Sequence, residues 1–240
     1  MPNETGTGQP KELTNAQLSW REEVMPFSER FQDFYYSKED GRAETQEVFL
    51  KGNGLPERWR GTAQFSIAEH GFGTGLNVLE TWRVWRQHRT QGAKLIFTSF
   101  EAYPMTPEEM ARALAAWPEI EDLAGVLLAG WPSQTAGLVR IDLDAQTELV
   151  VIGGDAQHSV SAWQRQADAW YLDGFAPAQN PDMWSADLVQ AVFEHTHAGG
   201  TFSTYTSAGW VRRNLEDAGF TVERVPGYGR KRHRIQGHRP

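Results

Sequence analysis

The chain has 240 residues, 40% of them apolar and 22% charged, and a formal net charge of −8. This composition predicts one compact domain, too apolar for a disordered chain and without the long apolar run of a membrane span. There is no cysteine, which excludes disulfides, a thiolate nucleophile, an iron–sulfur cluster and a Cys-ligated zinc site.

The seven histidines are scattered, and no metal site is expected. Met1 to Lys11 lacks the apolar core of a signal peptide, so a cytoplasmic protein is the expectation. The charge is uneven. Residues 224–240 hold Arg224, Arg230, Lys231, Arg232, Arg234 and Arg239 and no acid. They read either as a solvated tail or as a phosphate-contacting patch.

Residues 1–28 lack periodicity and are expected to be a flexible segment. Residues 29–240 then form the domain, beginning with a small β extension over 29–62. Within it, aromatic stretches over 31–49 flank an acidic, Gly-containing turn and predict short strands, and KGNGLPERW (51–59) reads as a loop.

After that, strand and helix alternate. FSIAEHG (65–71) predicts a strand, and 76–88 a helix whose apolar face is Leu76, Leu79, Trp82 and Trp85. Residues 94–102 predict a strand. A helix then starts with Thr106 as N-cap and Pro107 at its first position. Strands follow at 137–144, 148–153 and 167–175, a largely helical stretch at 181–197, and a strand at 200–205. Ser207 is expected to cap a helix over 208–218 that stops at Gly219. Residues 220–225 and 230–235 read as a closing hairpin.

Repeated strand–helix–strand units predict an α/β fold with a mainly parallel sheet covered on both faces, the hairpin adding an antiparallel strand. That combination resembles the class I S-adenosylmethionine-dependent methyltransferase form of the Rossmann-like architecture. In such sheets, ligands bind beyond the carboxyl ends of the strands.

Four constellations fall at those ends. Glu69-His70-Gly71-Phe72-Gly73-Thr74-Gly75 runs directly into a helix. Its glycines let backbone approach a ligand that a Cβ would block. The spacing is GxGxG rather than the GxGxxG of a dinucleotide loop, and an acid beside it repels a pyrophosphate and attracts the ammonium of a methionine moiety. Glu101 ends the next strand and can accept both hydroxyls of a ribose, whichever nucleoside carries it. Asp155, beside Ala156, reads either as an acceptor for an adenine amino group or as a helix cap. Asp173-Gly174-Phe175-Ala176-Pro177 resembles the Asp/Asn-Pro-Pro-aromatic loop of amine-directed methyltransferases. There Asp173 would accept a hydrogen bond from an attacking amine and Phe175 would form an apolar wall; the competing reading is a capped turn.

VFLKGNGLPERW (48–59), AEHGFGTGLNVLE (68–80) and WYLDGFAPAQNPDMW (170–184), in that order and spacing, strongly resemble the methyltransferase domain of the bifunctional MnmC tRNA-modification family. The resemblance spans roughly residues 28–236. It implies S-adenosyl-L-methionine as donor and the wobble 5-aminomethyluridine of tRNA, often 2-thiolated, as acceptor. It carries Gly71, Gly73, Gly75, Glu69, Glu101 and Asp155 over as cofactor residues, with Phe72 and Ala156 beside them, and Asp173, Phe175 and Pro177 as the catalytic loop.

Tyr35, Gly52 and Asn53 match the family's N-terminal segment and are expected near cofactor or target base. Arg230, Lys231 and Arg232 are expected at the RNA rim. Two departures stand out: the family commonly has Lys where Gln179 stands and an aromatic where Glu47 stands. No second dinucleotide loop follows, so a stand-alone methylation step is expected, with the flavin-dependent oxidase a possible separate partner. Two other readings stay open: methylation of a different amine, and a noncatalytic tRNA-binding module with a vestigial pocket. A nicotinamide oxidoreductase is disfavoured by GxGxG.

Overall fold

The computed structural model describes residues 13–37, 40–133 and 137–240. Residues 18–28, read from the sequence as part of a flexible lead-in, instead form two strands. β1 (Leu18–Arg21) pairs antiparallel with β2 (Met25–Ser28), which pairs with the short β3 (Asp33–Phe34). The strands have four residues or fewer, too few to show a period. Their cover also comes from far along the chain, because the Arg112 guanidinium lies 4.2 Å over the Trp20 ring.

Strands do not continue to residue 49. α1 (Gly41–Glu44) is capped by Asp40, whose carboxylate accepts from the amides of Arg42 and Ala43, and it runs into a π-helical turn, Thr45–Leu50. The aromatic, β-prone letters there are overridden by the cap and by burial of Val48, Phe49 and Leu50. The loop at 51–59 contains two short 3-10 turns, Lys51–Asn53 and Glu57–Trp59.

The main layer then builds in chain order. β4 (Gln64–His70) leads into α2 (Leu76–His88), and β5 (Lys94–Glu101) is followed by α3 (Pro107–Leu114) and α4 (Glu121–Gly130). Next come β6 (Leu138–Asp144), β7 (Thr147–Gly153), α5 (Ala156–Ala162), β8 (Ala167–Tyr171) and α6 (Ala186–Glu194). β9 (Thr196–Thr204), α7 (Gly209–Ala218), β10 (Thr221–Pro226) and β11 (His233–His238) complete it. The strand order is β10-β11-β9-β8-β4-β5-β7-β6. The five central strands, β9 to β7, run parallel; β11 enters antiparallel beside β9, and β6 is an antiparallel edge on β7. The expected mainly parallel sheet with a closing hairpin is therefore present.

Both faces are covered, so successive strand residues alternate between two cores. Ile67, Phe97 and Tyr171 join α2 and α4 on one side. Ala68, Phe100 and Trp170 join α5, α6 and α7 on the other. The predicted face of α2 is buried along its whole length, and Trp85 meets Trp59 edge-on at 5.3 Å. Thr106 and Glu109 close a reciprocal capping box at the start of α3.

Several elements differ from expectation: β8 ends at Tyr171 rather than at residue 175, so the Asp173 segment is loop. The stretch 181–197 is a 3-10 turn, Pro181–Trp184, followed by α6, and β9 begins already at Thr196. Ser207 does not cap α7; Ala208 stands there, and its amide donates to the Thr206 hydroxyl. α4 carries no side-chain cap and has Gly125 in its interior, so it left no local signal. No helix among the described residues is long and apolar enough to cross a membrane.

Candidate active site

The carboxyl ends of β4, β5, β7 and β8 face a cavity of about 480 Å³, covered by residues 30–37 of the N-terminal segment. The loop after β4 forms its floor. Gly71, Gly73 and Gly75 have φ of 74°, 54° and 79°, the left-handed region that other residues avoid. The three are not equivalent. A Cβ on Gly71 would meet nothing closer than Gly174 Cα at 3.8 Å, whereas one on Gly75 would stand 2.8 Å from Leu127 and 3.0 Å from Phe72. Gly71, Phe72 and Gly73 line the cavity; Gly75 does not, and serves as the N-cap of α2.

Glu101, at the end of β5, accepts from the Gly73 amide at 3.0 Å and from the Tyr103 amide at 2.7 Å, one on each oxygen. Burial raises its pKa against the pull of these amides, and the amides of Phe72 and Ala102 also favour its charged form. Asp155 caps α5 by accepting from the His158 amide at 3.0 Å, and with Ala156 it also lines the cavity.

Asp173 follows β8. Its Oδ1 accepts from the Gly174 amide and its Oδ2 from the Asn77 side-chain nitrogen, both at 2.8 Å. Burial, and to a smaller extent Glu44, push its carboxyl up to about 7, against the Gly174 amide, Asn77 and Lys231. The loop is clipped at three points. The Tyr205 hydroxyl donates to Gly174 O at 2.7 Å, the Ala176 amide to Asp33 at 2.9 Å, and the Trp184 indole to Phe175 O at 3.2 Å. Phe175 stacks on Phe31 at 4.7 Å and meets Tyr35 edge-on at 5.0 Å. Pro177 is buried behind the loop and does not line the cavity.

Several expected residues lie elsewhere. Glu69 is fully buried beneath the glycine loop, where it accepts from Asn77 and Ser99, each at 2.8 Å. Burial first, and then Asp173, push its pKa well above the usual carboxylate range. Its side chain projects to the face that α2 covers, and Asn77 of that helix links it to Asp173. Asn53 is buried against the sheet, donating to Phe49 O and Trp170 O, and a Cβ on Gly52 would collide with Ser203. Both pack the N-terminal segment onto the sheet rather than line the cavity.

Tyr35 and Lys231 do line the cavity; Arg230 and Arg232 do not. Arg234 is buried, its guanidinium donating to Ser203 and Gln236. Asn77, Glu44 and Tyr205 are cavity residues that sequence reasoning missed. A polar Asn in the otherwise apolar first turn of α2 was the one available signal. Among the described residues no group of three acids or histidines is placed to hold a metal ion.

Comparison with known proteins places this geometry among relatives. A family profile described as S-adenosyl-L-methionine-dependent methyltransferase matches residues 118–240. The tRNA 5-methylaminomethyl-2-thiouridine biosynthesis bifunctional protein MnmC of Chromohalobacter salexigens is 45% identical over 231 residues, covering 94% of this chain and 33% of that protein. The protein of that name from Caulobacter sp. (strain K31) is 46% identical over 235 residues, covering 95% of this chain and 39% of that protein. The chain thus spans little more than a third of these relatives. The crystal structure of MNMC2 from Aquifex aeolicus superposes with a TM-score of 0.71 at 23% identity, covering 96% of this chain and 73% of that one, a likeness of fold.

Proposed function

We propose that this chain, which belongs to the S-adenosyl-L-methionine-dependent methyltransferase family, methylates the primary amine of 5-aminomethyluridine, 2-thiolated or not, at the wobble position of tRNA. One observation carries the reading: Asp173, held by two donors and walled by Phe175, Phe31 and Tyr35, shares a single cavity with the glycine loop and Glu101. The printed names of the relatives, which speak of 5-methylaminomethyl-2-thiouridine biosynthesis in tRNA, support the acceptor.

The residues present fit the donor. The space over Gly71 is one that a Cβ would enter, and the carboxyl of Glu101 borders the same cavity. Gly71, Phe72 and Gly73 would lie along the donor, Glu101 would hold its ribose, and Asp155 and Ala156 its base. When bound, S-adenosyl-L-methionine supplies a methyl group on a positively charged sulfur.

The chain's own residues prepare the amine. A primary alkylamine has a pKa of about 10 and is mostly protonated at neutral pH, with no lone pair to offer. Asp173, titrating at about 7, is a carboxylate above neutrality. It accepts one N–H of the neutral amine and so aims the lone pair away from itself. A bound donor would supply its methyl group to that lone pair; the nitrogen would take up the positive charge that the sulfur gives up, and the surplus proton would leave with solvent. Phe175, Phe31 and Tyr35 keep water from the reacting carbon.

The amine substrate would come from a separate FAD-dependent oxidase or another wobble-uridine enzyme, in the cytoplasm. Incubating the protein with the donor and tRNA bearing 5-aminomethyluridine, followed by nucleoside mass spectrometry, tests the reading. The expected product is 5-methylaminomethyluridine, lost on Asp173→Ala; no conversion by the wild-type chain overturns it.

A further inference from the structure

At the amine end of the cavity, one side chain already sits as an alkylammonium. Lys231 Nζ lies 3.8 Å from the centre of the Tyr205 ring and 3.0 Å from Glu44 Oε1. Lys231, Tyr205 and Glu44 line the same cavity as Asp173.

Of the two partners of that ammonium, Tyr205 is fixed from outside and Glu44 is shielded from solvent. Tyr205 donates its hydroxyl to Gly174 O at 2.7 Å and takes the edge of Trp184 at 6.0 Å. Glu44 ends α1, and its side chain is only 14% exposed. Lys231 differs: it is on the turn between β10 and β11, 45% exposed, at the end of a four-carbon flexible stem. A fixed π-face with a shielded carboxylate beside it is a cation cage, here filled by a side chain that is free to leave.

We propose that Glu44 and the ring face of Tyr205 are the receiving site for the substrate's ammonium, and that Lys231 fills it until the substrate enters. The inference rests on the methyltransferase function proposed above and names how its amine is selected. A primary ammonium replacing a primary ammonium leaves the charge around Asp173 unchanged. The amine, which arrives mostly protonated, is thus received as a cation beside the carboxylate that later takes its hydrogen bond. A neutral hydroxymethyl group would gain neither interaction.

The test compares tRNA bearing 5-aminomethyluridine as substrate with the same tRNA bearing 5-hydroxymethyluridine as competitive inhibitor. The ratio of inhibition constant to KM reports recognition of the amine, because phosphate contacts cancel. Glu44→Gln and Tyr205→Leu are expected to lower that ratio about tenfold, while Tyr205→Phe, which keeps the ring face, holds it within about twofold. Lys231→Met, which removes the occupant, is expected to raise it at least about threefold.

Donor affinity by titration reports an intact fold, and the exposed Lys231→Met variant decides the matter even where Glu44→Gln fails to fold. A ratio unmoved by Glu44→Gln, or unmoved or lowered by Lys231→Met, overturns the inference. A wild-type chain that methylates tRNA while the ratios stay unmoved overturns this inference alone; one that does not methylate overturns it together with the proposed function.

Discussion

The side-chain nitrogen of Asn77 donates to Asp173 Oδ2 at 2.8 Å. Its second hydrogen goes to Glu69 at 2.8 Å, and the Thr45 hydroxyl donates to its oxygen at 2.7 Å. The amide is thereby locked in one orientation, with both hydrogens committed to carboxyl groups. Asn77→Ala removes a hydrogen bond to a charged group and is expected to lower kcat at pH 7 by about ten- to a hundredfold. Asn77→Asp also sets a third acid between two others, and the acidic limb of its pH–rate profile is expected to move up from about 7. Steady-state rates from pH 6 to 9 check both.

The position of Asp173 predicts the shape of that profile in the wild type. The reactive form needs Asp173 as carboxylate and the amine as free base. Below about 7 both protons must leave, so log kcat/KM rises with a slope of about two, and above it with a slope of about one up to the amine's pKa of about 10. A slope of one below that point and a flat line above would instead make Asp173 the carrier of the amine's proton. Asp173→Asn is expected to lose the lower inflection, with kcat down about a hundredfold or more.

Two glycines of one loop are expected to fail in different ways. Gly71→Ala meets Gly174 only at van der Waals distance, so its stability cost is the left-handed backbone alone, about 1–2 kcal/mol, while its methyl enters the cavity proposed for the donor. Gly75→Ala pays the same backbone cost and also drives a Cβ into Leu127 and Phe72, which adds about 1–3 kcal/mol of overpacking. Thermal unfolding together with donor titration separates them: weakened donor binding dominates in Gly71→Ala, a lowered Tm in Gly75→Ala.

The basic run near the carboxyl end divides in the same manner. Arg232 is exposed, and Arg232→Glu is expected to weaken tRNA binding and flatten its salt dependence by about one unit of slope, with donor affinity unchanged. Arg234 is committed to Ser203 and Gln236 within the fold. Arg234→Glu is expected to lower Tm before it touches RNA affinity. Filter binding across a salt series and a thermal melt distinguish the two.

Much of this was legible along the chain. The α2 face of Leu76, Leu79, Trp82 and Trp85, the cap at Thr106 and the stop at Gly219 are written in neighbouring residues, because capping and helical period act within a turn or two. Other local signals misled. Val48 and Phe49 favour strand, yet the Asp40 cap and burial hold them helical.

From β4 onward, α4 apart, the sequence by itself determined the order of strands and helices, and with it the four strand-end motifs, since periodicity and the backbone freedom of glycine are local properties. Which acid reaches the cavity was decided only in three dimensions. Glu69 turns inward and Glu101 borders the pocket, a matter of strand register and sheet face. The partners of Asp173 are likewise a product of strand order: Asn77 is 96 residues from it, and Lys231 is 187 residues from Glu44. Only a sheet in which β4 lies beside β8, with α1 and the closing hairpin at the same end, brings such distant side chains within hydrogen-bonding reach.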